Sequence, residues 1–486
     1  MMNRRLFLIC SSAIAGLMLC LTLPISAQLR VGAGRVDITP DPTMLPEPFT
    51  SIHDPIFTRA IFIENGSTSA LLVNVDLGKI SQGLYDKVAQ DISTRYGIPM
   101  DNIIISTTHV HSSVGELGKE PFGPPSSGGA AFKPLPGMQA FIDRVSRGML
   151  EAVKQAKDSL QPAEMGFGEG KLYLNVNRDA IDPKTRLWAQ EPNLEFPSDK
   201  TLAVLEFRKP NGGAPIAIYM NYAMHAVTMF LRSEISGDFP ETASRYIEGV
   251  YDDKVVAELS QGAEGDQNPL YLRAINALGE TRIQAEMDHS KPDDAGGSEH
   301  GAALIRLFDS GATHPMPTLD PKLATQSWQV VQAMGTMMGE ETLRVMDGIS
   351  HFSGSAVIHG SSSVVTCPGR KRLDHNREGV AGTYEDGPPA KVRVGALRIG
   401  TVALARTDSE IYNKIGQEIK AGSPFRNTIV VALADGGGRY IPTDDAFGRN
   451  TFQVLGAAFK PGCFEMGIVN NVDEMLYTEF ESTPQR

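Results

Sequence analysis

Cysteine is scarce: four residues in 486, and two of them, Cys10 and Cys20, lie in the first apolar stretch. The two that remain, Cys367 and Cys463, are too few and too far apart for a metal-binding knuckle. They are compatible either with one disulfide in an oxidising compartment or with two buried thiols. Positive charge is not in excess either. The formal net charge is −12, with 45 Lys and Arg against 57 Asp and Glu. Such a surface repels a phosphate backbone, which excludes nucleic acid as a partner. Internal repeats and low-complexity linkers are absent. Apolar runs of spanning length are absent beyond the N-terminus, so no stable membrane span is expected after it.

The one long apolar run is Leu6 to Leu23, interrupted by Ser11 and Ser12, preceded by Arg4 and Arg5 and followed by Pro24-Ile25-Ser26-Ala27. A basic start, an apolar stretch and small residues at the end read as a secretory signal cleaved after Ala27. The alternative is an uncleaved anchor, since the run approaches spanning length. Met18 and Leu19 before Cys20 do not suit lipoprotein processing. Residues 1–27 are therefore read as a signal peptide, and the mature chain is placed outside the cytoplasm, secreted or periplasmic.

What remains is 41% hydrophobic and 21% charged, an ordinary globular composition with ample length for a large core. Leu29 to Gly34, followed by Val36-Asp37-Ile38-Thr39-Pro40, reads as a short strand ended by a proline turn. Ile56 to Ile63 and Ala70 to Val75 are strands joined through a hairpin signal, Asn65-Gly66. Ser81 to Tyr96 has helical periodicity, and Ile103 to Thr108 returns to strand, which together suggest a crossover unit. Pro121 to Pro136, rich in Gly, Pro and Ser, reads as a loop that could cover a site. Met138 to Ala156, Phe239 to Val250 and Ala324 to Met346 read as helices. Thr201 to Phe207, Ile216 to Tyr222, Ala356 to Thr366, Lys391 to Ala405 and Asn427 to Leu433 read as strands. Residues 270–320 are polar and irregular. The expected architecture is mixed α/β: one large catalytic domain over 28–486, with a β-sheet core flanked by helices.

Chemistry concentrates at Thr107-Thr108-His109-Val110-His111-Ser112. Alternate residues of a strand share a face, so His109 and His111 are expected to project together where an apolar strand ends. Imidazole is the commonest zinc ligand, and this pair is either half of a metal site or a hydrogen-bonded histidine pair. His225 also follows an apolar strand, where sites gather in α/β folds; standing alone it would read as a core or capping histidine. Gly262-Ala263-Glu264-Gly265-Asp266-Gln267-Asn268-Pro269 is a polar turn. It is either an ordinary surface turn or a pocket built from backbone N–H groups and Asp266.

Taken in order, these segments resemble the catalytic domain of the neutral, non-lysosomal ceramidase family. The likeness is carried by Val31-Gly32-Ala33-Gly34 with Asp37-Ile38-Thr39, His53-Asp54-Pro55 with Arg59-Ala60, Val75-Asp76-Leu77-Gly78, Thr108-His109-Val110-His111-Ser112, Asn175-Val176-Asn177-Arg178, Ser236-Gly237-Asp238 and Glu264-Gly265-Asp266 with Pro269. It runs from Val31 to about Phe464. The resemblance implies a zinc ion held by His109, His225, Glu410 and Tyr440, with bound water brought to a pKa of about 7 for attack on an amide or ester carbonyl. It implies that His111 relays a proton or stabilises the oxyanion, and that Arg178 meets developing negative charge. On local pattern alone Glu410 is a solvated acid at a helix start.

Three features depart from the family. Asn268 stands where the family has a serine implicated in activity; an amide is no nucleophile but can donate to an oxyanion. Phe452 stands where a second active-site tyrosine is expected. The chain ends soon after Phe464, where ceramidases continue into a β-sandwich domain. Three functions follow as expectations: hydrolysis of an N-acyl, ceramide-like amide; metal-dependent action on a carbohydrate ester or glycan; or a catalytically silent binding protein. Retention of His109, His111, His225, Arg178 and Tyr440 argues against silence.

Overall fold

Apolar runs such as Ala70-Leu71-Leu72-Val73 and Ile103-Ile104-Ile105 are long enough to bury both faces of a strand, and in the computed structural model they do so. The structure describes residues 28–46, 49–113, 136–229, 234–272, 321–374 and 376–481. The signal reading (1–27), nearly all of the 121–136 loop and nearly all of the 270–320 segment lie outside them.

Three larger sheets form the frame. The first runs Ile103–Thr107, Thr68–Val75, Phe57–Asn65, Leu29–Asp37, Gln161–Pro162. Thr68–Val75 and Ile103–Thr107 are parallel and joined through helix Gln82–Tyr96, the crossover expected from sequence. Ser81 caps that helix by accepting the Leu84 N–H. The second sheet runs Val256–Gln261, Pro215–Tyr222, Thr201–Arg208, Glu164–Lys171, Phe352–Ser353, with the first two strands parallel. The third runs Ile358–Arg372, Tyr384–Ile399, Val402–Thr407, Asn427–Val431, with the last two parallel.

All three sheets contribute to one central apolar cluster. Leu29, Ile61 and Leu72 come from the first, Leu205, Phe207 and Tyr219 from the second, and Leu397, Leu404 and Ile429 from the third. Each outer face is then covered by helices. Gln82–Tyr96 and Pro136–Asp158 cover the first sheet, Asp238–Val250 and Pro321–Asp347 the second, and Asn413–Gly422 and Phe464–Glu481 the third. This is the mixed α/β plan of a sheet core flanked by helices. Close approach of a sheet to its helix demands glycine at Gly32 and Gly34. A Cβ there would lie 2.1 Å from Ala156 O and 2.3 Å from Ala152 O.

Two local expectations change. Lys391 to Ala405 is not one strand but a hairpin, because Gly400 takes φ +62° and reverses the chain between Ile399 and Val402. Glu164–Lys171 is a strand that the sequence conceals, since Gly166, Gly168 and Gly170 lower its β propensity. Those glycines admit Phe352, Ile349, Val345 and Glu341 against the sheet. Cys367 and Cys463 form a disulfide with a Cα–Cα distance of 5.8 Å, joining the third sheet to the start of the Phe464–Glu481 helix. Among the described residues no helix is long and apolar enough to cross a membrane.

Candidate metal centre

The parallel strand pairs of the three sheets end close together, and the chemical residues follow those ends. His109 comes after Ile103–Thr107, His225 after Pro215–Tyr222, Glu264 after Val256–Gln261 and Glu410 after Val402–Thr407. Backbone hydrogen bonds tie the ends together: Thr107 N donates to Leu433 O, Ala432 N to Gln261 O and Ala434 N to Thr407 O. Tyr440 arrives beside Glu410 because the two residues are register partners in a short parallel ladder.

His109 and His111 do converge, with ring centroids 4.6 Å apart, but not through strand pleating. The strand stops at Thr107, and His109 has φ +60°, a left-handed conformation that a non-glycine residue adopts at a cost. What holds it there is a second segment. Val110 bridges Ala226 in parallel, and His111 N donates to Ala226 O at 2.9 Å. The two histidine-bearing segments are thus zipped to one another, and the His109 and His225 rings lie 4.7 Å apart.

The hydrogen bonds of those two rings define the site. His109 Nδ1 lies 2.9 Å from Gly78 O, and His225 Nδ1 lies 2.9 Å from Glu264 O and 3.1 Å from Gln267 O. A backbone carbonyl only accepts, so each Nδ1 donates, and in the neutral form of each ring Nε2 turns a lone pair inward. Both lone pairs face the same atom, Glu410 Oε2, at 3.2 Å from His109 and 3.3 Å from His225. Tyr440 OH lies 3.4 Å from His225 Nε2. Glu410 is 2% exposed, and its Oε2 has no hydrogen-bond partner. Burial opposes its ionisation, and Lys79, whose Nζ is 3.9 Å from Oε1, favours it. Burial and the nearby Arg178 charge push His225 down to about 3, so its ring is neutral at pH 7.

Two imidazole lone pairs facing a buried carboxylate repel one another unless a cation lies among them. The residues present therefore fit a divalent ion, and two nitrogens with a carboxylate and a phenol are donors that suit zinc. The carbonyl bonds to Nδ1 are the outer-shell contacts that fix ring orientation in such sites.

The other expected residues gather around this centre. His111 Nε2 is 3.2 Å from His109 Nε2. Burial, followed by repulsion from His109 and His225, pushes its imidazole well below the ordinary range. Arg178 is 4% exposed and donates through Nη2 to Gly265 O at 2.7 Å and through Nη1 to Asn268 Oδ1 at 3.2 Å. Its guanidinium sits 5.3 Å from the centroid of Tyr440 and 5.9 Å from that of Phe452. Burial, then the Glu410 charge, raises the Tyr440 phenol above its usual range.

The turn at 262–269 is buried rather than on the surface, and Gly265 is required there, since a Cβ would lie 2.5 Å from Glu410 O. The Asp266 carboxylate accepts from Asn177 Nδ2 at 2.7 Å and from Asn413 N at 2.8 Å, so it ties scaffold segments together. Sequence reasoning passed over Lys79 and Glu264. The latter stands in the Glu264-Gly265-Asp266 motif, but nothing local distinguishes it from a turn acid.

A family model described as "Neutral/alkaline non-lysosomal ceramidase, N-terminal" matches residues 30–304. A neutral ceramidase from Drosophila pseudoobscura pseudoobscura is 28% identical over 216 residues, covering 42% of this chain and 30% of that protein. The neutral ceramidase of Pseudomonas aeruginosa is 27% identical over 231 residues, covering 44% of this chain and 32% of that protein. The aligned stretch thus spans about a third of these relatives. The crystal structure of the Pseudomonas aeruginosa neutral ceramidase superposes with a TM-score of 0.65 at 16% identity, covering 95% of this chain and 76% of that one. At that identity the match speaks for the fold.

Proposed function

The chain belongs to the neutral/alkaline non-lysosomal ceramidase family, and from that premise we propose that it is an exported zinc-dependent hydrolase that cleaves an N-acyl amide bond of ceramide type. The observation that carries the reading is the convergence of His109 Nε2, His225 Nε2, Glu410 Oε2 and Tyr440 OH on one buried point. These four residues would hold the ion. When bound, zinc supplies Lewis acidity toward a carbonyl and a lowered pKa for water.

The chain's own residues supply the rest. His111, neutral at pH 7, takes a proton from the attacking water and returns it to the leaving nitrogen. Arg178, cationic and desolvated beside Tyr440, meets negative charge developing on the carbonyl oxygen. Arg178 also fixes Asn268 by occupying its carbonyl oxygen, which orients the amide where the family has a serine. With no hydroxyl at position 268, direct attack by water replaces acyl transfer to that side chain. Export is supported by the N-terminal pattern and by the Cys367–Cys463 disulfide, which suits an oxidising compartment.

A second reading keeps the metal and changes the substrate to a carbohydrate ester or glycan. Asn268 and Phe452 favour it, since both stand against Arg178 and replace hydroxyl-bearing residues of the family. The test is a screen of purified protein against N-acyl sphingoids, N-acyl amino acids, sugar esters and oligosaccharides, with products identified by mass spectrometry. Fatty acid released from the N-acyl sphingoid, abolished by chelation and restored by zinc, is the expected result. Turnover confined to sugar substrates would move the assignment to the second reading, and no turnover of any class would leave a binding protein.

A further inference from the structure

Glu264 is a second carboxylate at the centre, outside the set that the family resemblance supplies. It is fully buried, and neither of its carboxylate oxygens accepts a hydrogen bond from another residue. A carboxylate oxygen of Glu264, a carboxylate oxygen of Glu410 and a His109 ring nitrogen lie within 4.8 Å of one another. Its backbone is committed to the same place, because Glu264 O receives the Nδ1 proton of His225. The following glycine seats the turn directly on the Glu410 strand. Nothing about the fold demands an acid here. The neighbouring Asp266 makes the scaffold contacts, and Gly265 makes the close approach.

A buried carboxylate that ties no scaffold together and stands among metal-ligating atoms has one economical use. We propose that Glu264 is an additional direct ligand of the divalent ion, so that the centre of this chain carries two carboxylates, Glu264 and Glu410, rather than one. The proposal rests on the metal reading given above. A second carboxylate makes the donor set richer in oxygen and more anionic. That raises affinity for divalent ions in general and narrows the preference for zinc over harder ions such as manganese.

The test uses the full mature chain, stripped of metal and titrated with zinc, manganese and cobalt by calorimetry and chelator competition. Glu264→Gln keeps shape and removes charge. Glu258→Gln, at another fully buried glutamate whose carboxylate has no hydrogen-bond partner, controls for the removal of a buried acid away from the centre. Loss of an outer-shell partner weakens metal binding by about 10- to 100-fold, so direct ligation predicts more than about 100-fold for Glu264→Gln. It also predicts a changed d–d absorption spectrum of the cobalt form, a larger loss for manganese than for zinc, and no such changes in Glu258→Gln. A smaller loss with an unaltered cobalt spectrum would overturn direct ligation. Should Glu264→Gln fail to fold, Glu264→Asp, which keeps the charge and draws it back by one methylene, must alter the cobalt spectrum; an unaltered one overturns the proposal. Wild-type protein that binds none of the three ions would overturn the metal reading itself. Wild-type binding that Glu264→Gln leaves intact would overturn this inference alone.

Discussion

Two buried polar clusters lie close to one another in this fold, and they are neutralised in opposite ways. In the first, Arg59, 1% exposed, donates to Glu241 at 2.7 Å, to Glu248 at 3.0 Å and to Asp76 at 3.3 Å. Arg35 and Arg245 reach Glu248 from the rim. There the guanidinium groups stand among the acids as donors, so the protein supplies its own cations, although Asp76 Oδ1 and Glu241 Oε1 accept no hydrogen bond. In the second, the imidazoles of His109 and His225 commit their N–H groups to backbone carbonyls and aim bare nitrogens at Glu410. Equal burial, with acceptors facing acceptors, is an arrangement that a bound ion would complete. Burial and charge alone would not separate the two; the direction of the hydrogen bonds does.

The largest expected effect comes from breaking the second cluster. His225→Ala removes one of the inward lone pairs and is expected to lose both the metal and all measurable turnover, checked by elemental analysis and product assay on the same sample. Full metal content in that variant would remove His225 from the ligand set. His111→Ala sharpens the distinction between holding the ion and using it. Turnover should fall by roughly 10²- to 10⁴-fold, the range for losing general acid–base help, while metal content stays at the wild-type level.

Breaking the first cluster should act on stability and not on the ion. Arg59→Met leaves Asp76, Glu241 and Glu248 without their central cation and should cost about 3–5 kcal/mol, read from denaturant unfolding. Zinc affinity should change by less than about tenfold, below the loss of even an outer-shell contact. A larger change would mean that the two clusters are coupled. The smallest effect is expected far from both. Replacing Cys367 and Cys463 with alanine releases a loop closed over a sequence separation of 96 and should destabilise the chain by about 2–4 kcal/mol with turnover unchanged.

The same contrast explains what could be read from the chain in advance. Runs such as Ile103-Ile104-Ile105 and the periodicity of Ser81 to Tyr96 are local signals, and the crossover they imply is present. The Thr-His-Val-His pattern pointed to two side chains that the fold does bring together, but through an argument about pleating that does not apply. His109 reaches the site because Val110 pairs with Ala226, a contact made across more than a hundred residues. Glu410 has the local pattern of a solvated acid, yet it is buried by its ladder with Tyr440 and by the turn at Gly265. Glu264 carries no local mark, because its surroundings are assembled from the ends of strands in all three sheets. Local propensity and spacing are written in the sequence; the direction of a lone pair is settled by tertiary contacts.

The central claim is that His109, His225, Glu410 and Tyr440 form a zinc centre. It is tested most directly by quantifying zinc in the purified mature protein after stripping and dialysis against the metal, with His225→Ala carried in parallel. The account predicts about one tightly held zinc per chain in the wild type and none in the variant. Wild-type protein that emerges free of zinc, or a variant that retains it in full, would contradict it.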